Sequence, residues 1–211
     1  MNALTPPRAR LAVEVVFDLV CPWCFLGVRR LRRALRRRPD IRAELRWRPF
    51  LLGPIFARKG LTTSPMVADP VKGAYAWRDL ARTCARLGLT LRQPPGFPQN
   101  GVLAARVALV LDDAARPAFT RAVYSAEFGE GAIISDADVI AGVLRALGHD
   151  ADAVLAAATD VANKPLLRGQ TEAADAAGLF GAPTFITDDG ELFWGHDRLD
   201  DALAMAARGQ A

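Results

Sequence analysis

The chain has 211 residues, 51% of them hydrophobic, and a formal net charge of +4. It is long enough for one large domain, or a domain with a sizeable insertion, and apolar enough for a full core. Much of the charge is gathered on Arg29, Arg30, Arg36, Arg37 and Arg38; with no RNA-binding aromatic motif or zinc finger beside it, that cluster reads as a solvated helix face and not as a nucleic-acid surface.

In chain order, residues 1–7 lack the apolar core of a secretory signal and no stretch reaches membrane-spanning length free of charge, so a cytoplasmic protein with no membrane partner is expected. Residues 11–20 form an apolar run that reads as a strand. From Pro22 to Arg37, Phe25, Leu26, Val28, Leu31 and Leu35 recur at helical spacing among arginines. Pro39-Asp40 turns the chain, and residues 41–48 alternate apolar and charged side chains as a half-buried strand does. Strand, helix and strand with a short return suggest a parallel right-handed crossover. Residues 50–72, rich in Gly and Pro, read as a long ordered loop or short helices. Helices are then predicted over 72–87, closed by Gly88; from Asn100 to about 113; over about 117–128; from a capping box at Ser135–Asp138 to Leu147; after Asp150; and over 164–177, closed by Gly178. Residues 184–187 and 191–194 flank Asp188-Asp189-Gly190, a hairpin signal, and Asp197 caps a last helix to Ala207. The fold class is α/β: residues 11–50 and 165–211 as a discontinuous domain, with residues 51–164 as a helical insert.

The chemistry centres on Cys21-Pro22-Trp23-Cys24, where the first strand ends and the first helix begins. Pro22 suits the first helical turn. Cys21 faces the free N–H groups and positive dipole end of the helix, which favour a thiolate over a thiol. Cys24 lies on the same helix face and can resolve a bond made by Cys21. Inert core cysteines or half of a zinc site are the alternatives; for zinc, only Cys84, His149 and His196 remain as ligands, without a second close pair, so no metal is expected. A CxxC at the first β/α junction of such a frame reads as a thioredoxin-like fold. Ala182-Pro183 directly precedes a strand, where a proline has no N–H to give. In thioredoxin-like folds the corresponding proline is cis and packs beside the CxxC, so likeness to that fold implies a cis bond here, with an ordinary trans proline as the alternative.

Together these stretches resemble the DsbA-like thioredoxin superfamily, and within it the branch of 2-hydroxychromene-2-carboxylate isomerases and kappa-class glutathione transferases. The likeness is carried by residues 17–26, Arg48–Phe56, Lys72-Gly-Ala-Tyr75, Phe97-Pro-Gln-Asn100, Phe180–Phe185 and Phe193–Leu199. It implies a thioredoxin-like fold with a large all-helical insertion, a homodimer, and glutathione as cofactor. By resemblance, Ala182 before Pro183 would pair with the cysteinyl backbone of glutathione, and His196 and Asp197 would meet its γ-glutamyl end. Lys72 would meet the glycyl carboxylate or an acidic substrate, with a plain surface lysine as its alternative. The sequence departs from the isomerases in one respect: Cys21 and Cys24 stand where they usually carry serines, which restores the oxidoreductase motif.

Three functions are therefore open. The first is a glutathione-dependent isomerase or transferase acting on a small aromatic or conjugated substrate, with Trp23, Phe50, Leu52, Phe56 and Trp77 as pocket walls or, equally, as insert core. The second is a thiol:disulfide oxidoreductase working through Cys21 and Cys24. The third is a binding module with an idle CxxC. The closed, aromatic-rich loop at 50–72 favours the first, because a small ligand suits it better than a protein substrate does.

Overall fold

The computed structural model describes residues 9–38 and 41–208; the expected turn at Pro39-Asp40 lies outside them. Strand β1 (Ala9–Phe17) leads into helix α1 (Pro22–Arg37) and strand β2 (Ile41–Pro49), and near the other end strands β3 (Thr184–Thr187) and β4 (Leu192–Trp194) precede helix α10 (Leu199–Arg208). The sheet order is β2-β1-β3-β4. β1 and β2 are parallel, with Val15 opposite Trp47, while β3 is antiparallel to β1, with Val16 opposite Thr184. β1 is an inner strand, which is why Val13, Val15, Val16 and Phe17 are all buried and its sequence does not alternate. β2 lies at the edge and keeps the alternation. Helix α1 turns Cys24, Phe25, Val28 and Leu31 inward and leaves Arg32, Arg33, Arg36 and Arg37 outside.

Between these halves run α2 (Leu52–Arg58), α3 (Pro65–Ala68), α4 (Pro70–Leu87), α5 (Val102–Val110), α6 (Arg116–Tyr124), α7 (Ala137–Ala146), α8 (Ala151–Thr159) and α9 (Lys164–Ala176). This is the thioredoxin-like frame with a large helical insertion that the sequence predicts. The Gly/Pro-rich stretch resolves into α2 and α3 because Ser64 and Asp69 each cap a helix, Asp69 accepting from Val71 N at 3.1 Å and Lys72 N at 3.0 Å. Gly88 ends α4 at φ 68°, a left-handed position open to glycine.

Four predicted boundaries are corrected. The helix expected from Asn100 opens at Val102, with Asn100 Oδ1 accepting from Val102 N. Asp136, not Ser135, caps α7, accepting from Asp138 N at 2.9 Å. The helix expected over 117–128 is α-helical only to Tyr124 and continues as a π-helix, Ser125–Glu130. The last helix opens at Leu199, so Asp197 stands before it and lies 3.9 Å from Arg198.

The insertion is joined to the sheet by packing and by one partly buried cation, Arg116. Phe17 meets Trp47 and Tyr124 edge-on at 5.8 and 6.5 Å, and Phe25 meets Phe128 at 5.9 Å, so β1, β2, α1 and α6 share one aromatic core. Arg116 donates to Ala108 O at 2.6 Å and Leu111 O at 2.9 Å at the end of α5, and to Trp47 O of β2 at 3.2 Å. It satisfies the carbonyls that a helix end leaves unpaired. Among the described residues no helix is long and apolar enough to cross a membrane.

Candidate active site at the start of the first helix

Cys21 is the N-cap of α1, in extended conformation at φ −93°, ψ 114°, with Pro22 in the first turn. Its N–H donates to Asp18 O at 3.0 Å, and its carbonyl accepts from Cys24 N at 3.0 Å and Phe25 N at 3.3 Å. All three cysteines are free thiols. Cys24 is 0% exposed. Burial pushes its thiol well above the usual range, and its hydrogen bond to Cys21 adds to this. Cys24 therefore keeps its proton. Cys84 is buried within α4, and burial raises its thiol as well.

Cys21 and Pro183 are brought together. Cys21 Sγ donates to Ala182 O at 3.4 Å, and the Ala182–Pro183 bond is cis. The proline ring seats on α1 at Gly27, where a Cβ would stand 2.9 Å from Pro183 Cγ. Glycine permits that approach. Across the loop, Gly195 N donates to Pro183 O at 2.9 Å and Thr184 Oγ1 to Gly181 O at 2.9 Å. The indole of Trp194 lies over Gly181, where a side chain would displace it.

His196 stacks on Trp23, ring centroids 5.5 Å apart and planes within 2°. Arg30 Nη1 lies 3.3 Å from His196 Nδ1; since a guanidinium only donates, the ring proton belongs on Nε2. Burial, then the Arg30 charge, lowers the His196 pKa below its usual value, so the ring is neutral at pH 7. The cation beside it is Arg30, a residue the sequence reading passed over as part of a solvated arginine face.

Beneath the cysteines lies an acidic layer. Asp18 is buried, and its carboxylate accepts from Leu52 N at 2.7 Å and Val20 N at 3.1 Å. Its carbonyl accepts from Tyr124 Oη at 2.8 Å. Burial outweighs those hydrogen bonds and raises its pKa to about 6. Glu127, on the π-helical turn, is 0% exposed, and neither of its carboxyl oxygens has a hydrogen-bond partner among the described residues. Burial first, then the charges that Asp18 and Cys21 can carry, push its pKa to about 9, so it is protonated at neutral pH.

Of the remaining predicted residues, only Leu52 shares in these contacts, through its backbone N–H on Asp18. Lys72, in the first turn of α4, has a side chain 85% exposed and 3.7 Å from Asp69. Phe50 and Leu52 are 1% and 8% exposed and belong to the core. Phe56 packs on that core half-buried, and Trp77 meets Phe97 edge-on at 5.0 Å. Asp197 is exposed beside Arg198. His149 follows α7, its N–H on Leu144 O.

The chain is 28% identical to the 2-hydroxychromene-2-carboxylate isomerase of Sphingobium xenophagum over 190 residues, which is 89% of this chain and 94% of that one. It is 24% identical over 217 residues to glutathione S-transferase kappa 2 of Caenorhabditis elegans, covering 94% of this chain and 92% of the other. A solved structure of 2-hydroxychromene-2-carboxylate isomerase superposes with a TM-score of 0.83 at 25% identity, over 93% of this chain and 95% of that one. The family described as the DSBA-like thioredoxin domain matches residues 12–205, from within β1 into α10, and the chain belongs to that family.

Proposed function

We propose that the protein is an enzyme, a glutathione-dependent isomerase of the 2-hydroxychromene-2-carboxylate isomerase type or a related kappa-class transferase, acting on a small conjugated substrate in the cytoplasm. Residues 11–50 and 165–211 form its thioredoxin-like domain and residues 51–164 its insert; a homodimer belongs to the same reading. The observation that carries it is the setting of Cys21, only 7% exposed and turned onto Ala182 O. A small thiol ligand can enter such a site, whereas exchange with folded proteins needs an open groove.

The residues present fit glutathione. Ala182 offers backbone beside the Cys21 sulfur, and His196 and Asp197 stand at the approach to α10, whose N-terminus suits a carboxylate. With His196 neutral, the positive charge there comes from Arg30 and the helix end. Bound glutathione would supply a thiol that adds to a conjugated double bond and is expelled again, with no net change in electrons. Cys21 would donate its S–H to a neighbouring thiolate sulfur, as it donates to Ala182 O. Trp23, stacked on His196, would wall the site.

The pairing of two free thiols in one turn, Cys24 holding its proton behind Cys21, favours the second reading, a thiol:disulfide oxidoreductase. One pair of assays separates them. Isomerisation of 2-hydroxychromene-2-carboxylate that requires glutathione and survives Cys24→Ala supports the first. Insulin reduction that disappears in Cys21→Ser, with no isomerase activity in either form, rejects it.

A further inference from the structure

Away from Cys21, a cleft of about 810 Å³ opens between α2, α5 and α9, within the range of small-molecule sites. None of the residues described around Cys21 lines it. Its walls include Leu51, Pro54, Val102 and Val161, with Arg106 and Arg168 among them. Val161 is 76% exposed at the cleft mouth. Arg58 at the rim is paired with Asp175 at 2.9 Å. Among the described residues, Lys164 and Arg168 have no ion pair, and Glu172 is the only acid in the lining. Arg106, on the α5 side of the lining, likewise has no ion pair among the described residues.

Three cations without an ion pair beside an apolar wall favour a guest that brings a negative charge on an apolar body. A neutral apolar guest would leave Arg106, Lys164 and Arg168 without a counter-charge, and an inorganic anion would leave the apolar wall wet. We propose that this cleft binds a small amphipathic carboxylate, its apolar body against Leu51, Val102 and Val161 and its head group on Arg106 and Arg168. The proposal does not depend on glutathione. The cleft does touch the loop that holds the thiol site: Leu51 N donates to Thr171 Oγ1 in the cleft wall at 3.2 Å, and the next residue, Leu52, donates to Asp18.

The test is calorimetric titration of the full chain with 1-naphthoate, and with 1-naphthalenemethanol as its neutral counterpart. Naphthoate is expected to bind saturably at one site. The alcohol should bind at least about tenfold more weakly, and Arg106→Met should weaken naphthoate by a similar factor. Val102→Trp, which fills the cleft from its partly open wall, should abolish binding, and it serves as the test where Arg106→Met does not fold. Naphthoate affinity should be the same with saturating glutathione. Absence of saturable binding, equal binding of acid and alcohol, binding indifferent to both variants, or competitive displacement by glutathione would each overturn the proposal.

Discussion

Glu127→Gln should stabilise the protein, by an amount that grows with pH. The folded chain holds the Glu127 proton to about pH 9, against an ordinary value of 4.5, whereas the unfolded chain releases it near that ordinary value. Between those limits the folded state binds one more proton than the unfolded state, so stability falls by about 1.4 kcal/mol per pH unit. The loss is nil well below pH 4.5, about 3.5 kcal/mol at pH 7, about 6 kcal/mol by pH 9, and constant above. Glutamine keeps the shape and cannot ionise in either state, so the variant escapes this loss. Both forms would be unfolded in urea at pH 4, 5.5, 7 and 8.5. Asp18 also titrates in that range, but it is present in both chains and largely cancels in the difference. The variant's advantage should be near zero at pH 4 and should rise steadily. An advantage that stays within about 0.5 kcal/mol at every pH, the scatter of an ordinary surface substitution, would refute a buried, protonated Glu127.

Gly27→Ala would force a methyl into Pro183 Cγ at 2.9 Å, and a ring cannot swing aside as a flexible chain end can. Overpacking of this kind costs about 1–3 kcal/mol, against roughly 1 kcal/mol returned by helix propensity. A net loss should appear in urea unfolding, and an unchanged midpoint would mean that the proline ring is not pinned. Arg30→Met should raise the His196 pKa toward its usual value while burial still holds it below, read from the ring proton shift by NMR. Because that pKa is depressed in the folded state, the stability His196 contributes is present above pH 6.5 and is lost as pH falls through the folded value; in Arg30→Met the loss should be smaller. Arg116→Met removes hydrogen bonds to Ala108 O, Leu111 O and Trp47 O and should destabilise the chain by about 3 kcal/mol, and a change below about 0.5 kcal/mol would show the tie to be idle.

The frame of the fold is written in periodicities that few other structures satisfy. The apolar run of β1, interrupted after Leu11 only by Glu14, the alternation of β2 and the Asp-Gly hairpin before β4 each reflect a position in the sheet: inner, edge, edge. Helix ends were less legible where two cap residues compete. Ser135 and Asp136 are both good N-caps, and only the chain's entry angle selects Asp136. Asp197 likewise has the chemistry of a cap, but the turn at Gly195, closed by Arg198 N on Gly195 O at 3.2 Å, starts the helix at Leu199 instead.

The sulfur centre and the proline opposite it could be read because both are local: CxxC after a strand, Ala-Pro-Thr before one. The groups that tune the centre arrive from elsewhere in the chain. Arg30 lies on the same helix as five other arginines, and nothing local separates it from them; it is singled out by the approach of His196, 166 residues away. Glu127 did leave a trace. Thr120, Val123, Tyr124, Glu127 and Phe128 fall at the positions of one inward stripe, and all are buried. A carboxyl on an apolar stripe is either a helix end slipping outward or a buried acid. With the helix expected to end at about 128, the sequence alone does not separate the two. What keeps Glu127 inside is the continuation of the turns past Tyr124 with π spacing, held by Ala132 N on Ala126 O at 2.8 Å and closed by Gly131 at φ 78°. Such turns are frequent at functional sites, and this one carries its acid to Asp18 and the cysteines.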